Sequence, residues 1–112
     1  MTKTSTIQIQ VALDENKVPE KIEWTASDTT ADRMNKAKAM MVAFWDAAEA
    51  TALRIDLWTK DMPVEEMKRF YIDTIGAMAE SLKTATNDDV MVQKMRALCE
   101  EMVNHINEQE AQ

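Results

Sequence analysis

The sequence predicts an α+β protein: an antiparallel four-stranded sheet made from two β-hairpins, followed by two C-terminal helices packed on one face. Three observations carry this prediction. Residues 5–25 alternate apolar and polar around a central turn cluster, and residues 37–59 alternate a second time. Residues 63–107 then carry two apolar stripes at helical spacing. Strands grouped first and helices second are the pattern of an α+β layer.

The bulk numbers agree. A chain of 112 residues, 46% hydrophobic and 29% charged, is expected to form a single globular domain over 1–112. Thirteen Lys and Arg against twenty Asp and Glu leave a net charge of −7. That field repels nucleic acid and anionic membrane surfaces, so neither is an expected partner. Cys99 is the lone cysteine and Gly76 the lone glycine. A disulfide framework and glycine-rich phosphate loops are thereby excluded. No apolar run approaches the roughly 18 residues of a spanning helix, and no targeting segment follows the N-terminus. The expectation is a cytoplasmic protein without direct membrane insertion.

The first hairpin is predicted over 5–25. Ile7, Ile9, Val11 and Leu13 share one parity and Gln8, Gln10 and Ala12 the other. Asp14-Glu15-Asn16-Lys17 reads as the turn. Val18, Ile22 and Trp24 resume the apolar parity. Facing Leu13 with Val18 sets Ile9 against Ile22 and Ile7 against Trp24. Residues 26–36 are polar, lack a period and read as a loop with one helical turn at most.

The second hairpin is predicted over 37–59. Its alanines also suit a long helix, but Leu53, Ile55 and Leu57 alternate with Arg54, Asp56 and Trp58. A helix would set Arg54 and Asp56 within its apolar stripe. Pairing Asp46 with Thr51 puts Phe44 opposite Leu53, Val42 opposite Ile55 and Met40 opposite Leu57.

Helices are predicted over 63–84 and 87–107. Pro63 suits a first helical turn, Glu65 and Glu66 complement the helix dipole, and Asp61 can cap. Val64, Met67, Phe70, Tyr71, Ile75, Met78 and Leu82 form the first stripe. Thr86 or Asn87 can cap the second helix, whose stripe is Met91, Met95, Leu98, Met102 and Ile106.

No candidate chemistry rises above an ordinary structural role. His105 lacks a ligand cluster, and Cys99, beside Glu100 and Glu101, reads as a small buried hydrophobe. Asp56, Asp61 and the glutamates have surface or capping explanations. The ten methionines read chiefly as core filler. No cofactor, metal or catalytic residue is expected. The informative feature is the second hairpin, where the parity opposite the expected core carries Met41, Trp45, Arg54, Asp56 and Trp58. Two apolar faces need cover on both sides, and Trp with Arg is interface composition. These five residues are the candidate interface, for an unidentified protein partner or a second copy in a homodimer.

The stretch Leu53-Arg54-Ile55-Asp56-Leu57-Trp58-Thr59-Lys60-Asp61-Met62-Pro63-Val64-Glu65-Glu66-Met67 resembles the strand-to-helix signature of the gliding motility protein GldC family, found in the Bacteroidota. The opening Ile-Gln-Ile-Gln-Val-Ala-Leu-Asp-Glu-Asn-Lys-Val-Pro-Glu-Lys-Ile-Glu-Trp is similar to that family's N-terminal hairpin. The resemblance spans about residues 7 to 105. It implies a small protein associated with the gliding machinery and its linked secretion apparatus, and it carries over no catalytic residue. The expected function is therefore a non-enzymatic interaction or assembly protein. The alternative is an acidic cytosolic chaperone or secretion holdase, on a fold analogy with the export chaperone SecB.

Overall fold

The computed structural model describes residues 3–27 and 34–111. The chain divides into two compact units, Met1–Met62 and Pro63–Gln112. The first holds the strands and the second the helices.

The strands form two antiparallel sheets of three and two strands rather than the expected single four-stranded sheet. In the first, β1 (Ile7–Leu13) pairs with β2 (Pro19–Ala26), and β2 pairs with β3 (Asn35–Ala37). In the second, β4 (Ala39–Asp46) pairs with β5 (Thr51–Trp58). Only Lys38 separates β3 from β4, and the chain bends at this residue as it passes from one sheet to the other. The division has a local cause. Pro19 opens β2 without an N–H to offer a neighbour, and its carbonyl accepts from Lys60 N–H at 3.1 Å. The Lys38 carbonyl accepts from Thr59 N–H at 2.7 Å. These two bonds tie the chain leaving β5 to the start of β2 and to the Lys38 bend.

Asn35–Ala37 lies in the segment expected to be a loop, and it is a strand instead. Ile22 faces Ala37, and Glu23 faces Lys36 with opposite charge. The rest of the expected loop, residues 28–33, lies outside the described residues.

The first hairpin's register also differs from expectation. Ile9 faces Trp24, Val11 faces Ile22 and Ile7 faces Ala26, with a bulge between Ala12 and Leu13. The turn is longer than the polar cluster. The Asp14 carboxylate accepts from the N–H of Asn16 at 2.8 Å and of Val18 at 3.0 Å. Lys17 adopts a left-handed φ of 63°, and Val18 is drawn into the turn. Faces survive this change because the register moves by two. Ile22 is 1% exposed, while Gln8, Gln10, Lys21 and Glu23 share the polar face.

The helices are α1 (Val64–Thr86) and α2 (Asp89–Glu110), joined by Asn87 and Asp88. Pro63 is the N-cap of α1 and gives no side-chain cap bond, so Asp61 does not cap it. Asn87 closes α1 in the left-handed region, its N–H donating to the Lys83 carbonyl at 2.9 Å. Asp88, rather than Thr86 or Asn87, caps α2 by accepting from Met91 N–H at 3.1 Å. The Thr86 hydroxyl accepts from Asp88 N–H instead. Lys83 holds both Asn87 and Asp89.

The seam between the helices lies one residue away from part of each expected stripe. Ala79 and Val92 are buried, and Cys99 is half-buried with its thiol 3.7 Å from the Ile72 carbonyl. Val64, Tyr71, Met78, Met91 and Leu98, expected in the core, are exposed. Two helices share a single seam, and each carries an apolar arc wider than one seam uses.

Candidate protein-interaction face

The β4–β5 hairpin is held at its tip by Asp46. Its carboxylate accepts from Glu49 N–H at 2.7 Å and its carbonyl from Ala50 N–H at 2.9 Å. Ala50 takes a φ of 51°, which closes the four-residue loop. The resulting register is the one the sequence predicts: Asp46 faces Thr51, Phe44 faces Leu53, Val42 faces Ile55 and Met40 faces Leu57. This pairing excludes the long-helix reading of the segment.

On the other parity Trp45 faces Ala52, Ala43 faces Arg54, Met41 faces Asp56 and Ala39 faces Trp58. Directly opposed residues of an antiparallel pair share a face. Met41, Trp45, Arg54, Asp56 and Trp58 therefore occupy one surface. Trp45 and Trp58 stand near its two ends, roughly 20 Å apart along the strand direction. Between them the Arg54 guanidinium meets the Asp56 carboxylate at 3.0 Å. Trp45 is 73% exposed and Trp58 43%. Together the two indoles present on the order of 300 Å² of aromatic surface, divided between the two ends of the ion pair.

The reverse face does not behave as a closed core. Phe44, Leu53 and Ile55 are each at least half exposed. Met40, Val42 and Leu57 on the same parity are half-buried. Sequence parity locates both faces, but it does not reveal that both are open.

A polar knot lies below the hairpin. Lys60 Nζ reaches Asp14 at 3.2 Å and Glu20 at 3.0 Å. The Thr59 hydroxyl donates to the Lys38 carbonyl at 2.9 Å. Glu20 and then Asp14 raise the Lys60 pKa by accepting hydrogen bonds from its ammonium group. The Asp14 pKa is lowered, first by the Val18 N–H and further by Asn16 and Lys60. The Asp61 pKa is lowered chiefly by the Thr59 hydrogen bond, with Lys38 and Lys60 adding their charge. Each carboxylate here is engaged in a turn or an ion pair.

Cys99 lies in the helical seam and His105 is exposed on α2. Among the described residues, no three His, Cys, Asp or Glu side chains gather as a metal site would require. A groove of about 290 Å³ lined by Arg69, Asp73, Val103 and Glu110, among others, lies between the helices. No helix among the described residues is long and apolar enough to cross a membrane.

No curated protein and no solved structure matches the chain. The family model of the gliding motility-associated protein GldC-like family matches residues 19–108, about four-fifths of the sequence. The matched span runs from the first residue of β2 to within two residues of the end of α2, and so includes both faces of the β4–β5 hairpin. This chain belongs to the GldC-like family of gliding motility-associated proteins.

Proposed function

We propose that this protein is a non-enzymatic assembly component of the gliding machinery, acting in the cytoplasm by docking a protein partner on the Trp45–Trp58 face. The supporting observation is the pair of exposed indoles flanking the Arg54–Asp56 ion pair on a regular strand surface. Rigid aromatic anchors around a charged pair are what tight protein recognition uses. Family membership supports the gliding system as the setting, and the exposed face supports docking as the mode of attachment.

The test is replacement of Trp45 and Trp58 by serine. Capture of the native partner from the source cell should fall at least tenfold, with the circular dichroism spectrum unchanged. Undiminished capture would place the docking site elsewhere.

The open reverse face supports a second reading, a holdase for unfolded clients. Both faces of the hairpin would then contact client, and suppression of aggregation would require Phe44 and Leu53 as much as the indoles.

A further inference from the structure

The outer edge of β5 carries a second kind of complementarity, independent of the two faces. Among the described residues, β5 has β4 as its single sheet neighbour and no strand on its other edge. All of its residues but Leu57 are exposed. A long apolar edge of this kind is a template for another strand, and a two-stranded ribbon is marginal by itself.

The residue order along that edge selects the incoming strand. Leu53-Arg54-Ile55-Asp56-Leu57 is a palindrome in which the two charges are inverted. Pair this strand antiparallel with its own copy about a two-fold axis at Ile55. Arg54 then faces the copy's Asp56, Asp56 faces its Arg54, and Leu53 faces its Leu57. One step outward, Trp58 faces the copy's Ala52, a large side chain beside a small one. Neighbouring registers that keep the same faces are penalised. Moving the axis to Arg54 sets the two arginines against each other, and moving it to Asp56 opposes two carboxylates. Like charges directly opposed across strands are destabilising and opposite ones stabilising. A register shift by a single residue sets charge against Ile55 and exchanges the faces.

From this inverted symmetry we infer that the occupant of the β5 edge is a second copy of the chain, joined through β5 about Ile55. The product is a four-stranded antiparallel sheet ordered β4, β5, then the copy's β5 and β4. The contact is isologous, so it closes at two copies through this edge. The Arg54–Asp56 pair within each strand becomes part of a four-charge cluster on the two-fold axis. Both tryptophans remain on one face of the enlarged sheet, which doubles the docking surface proposed above.

Purified full-length protein tests this without any other partner. Light scattering across a concentration series should show a dimer. R54D places carboxylates opposite carboxylates and D56R places guanidiniums opposite guanidiniums, so each should weaken self-association about tenfold. Mixing the two variants should restore dimers as heterodimers, and R54D/D56R should dimerise with itself. In a C99S background, I55C should form an intermolecular disulfide, because opposed Cβ atoms lie within about 5 Å. L53C should not, because its two copies stand about 13 Å apart along the strand. A monomer at hundreds of micromolar would overturn the proposal. So would dimers indifferent to R54D, or equal cross-linking by L53C and I55C. Failure of the Trp45 and Trp58 substitutions to affect partner capture leaves this result untouched, since neither charge exchange nor cross-linking involves that partner.

Discussion

Thr59 donates twice to one oxygen: its N–H meets the Lys38 carbonyl at 2.7 Å and its hydroxyl meets the same carbonyl at 2.9 Å. Lys38 is the joint between the two sheets, and Thr59 is 2% exposed. The pair clamps the bend where the chain stops pairing with β2 and begins pairing with β5.

Replacing Thr59 by valine keeps the backbone bond and removes the hydroxyl. Stability should fall by about 1 kcal/mol, the ordinary contribution of one such hydrogen bond. Urea midpoints of the two proteins measure this directly. An unchanged midpoint would show that the backbone bond alone holds the joint.

Gly76 lies inside α1, and a methyl group built at its Cα would meet nothing within 4 Å. No steric reason for glycine exists there. G76A should stabilise the protein by about 0.5–1 kcal/mol, because alanine restricts the unfolded chain and favours the helix. Thermal melts should therefore show a rise in Tm for this variant.

The knot around Lys60 makes stability pH-dependent at both extremes. The Asp14 and Asp61 carboxyls are depressed in the folded state. Their contribution is complete above the ordinary aspartate value of about 3.9 and is lost as pH falls through the lower folded values. Lys60 is raised. Its contribution is complete below the ordinary lysine value of about 10.4 and is lost as pH rises through the folded value. D14N should shrink the acid limb of a stability–pH curve, leaving the part due to Asp61, and should also weaken the alkaline limb, because Asp14 is the second of the two carboxylates that hold Lys60. An acid limb as steep as that of the parent protein would assign it to other carboxylates.

The parts of the structure legible in the sequence are those where strict alternation and a compact turn coincide. Asp46 and Thr51 close a loop of four residues, no bulge intervenes, and the register of β4 and β5 follows from parity. In the first hairpin the Asp14 carboxylate extends the turn to Val18, a wrapping that residue types alone do not announce. β3 is three residues long, too short for a period to appear, and its partner is visible only through Lys36 and Glu23. The helices were legible as elements, yet whether Val92 or Met91 enters the seam depends on a rotation of some 100° that a wide apolar arc does not fix. For the interface, sequence parity places Trp45, Arg54, Asp56 and Trp58 on one face. The exposure of Phe44, Leu53 and Ile55 on the reverse is a property of packing and has no sequence signature.

Among the described residues, the strand pairings and the helix pair, from β1 with β2 to α1 with α2, join elements that are neighbours along the chain. Such local closures form on microsecond to millisecond timescales. Synthesis proceeds at about 5–20 residues per second. The β4–β5 ribbon therefore has its shape, and its open edge, while the helices are still being made. Joining of two copies through the proposed β5 contact would then be a second-order event, set by how many copies a cell makes and how near to one another it makes them.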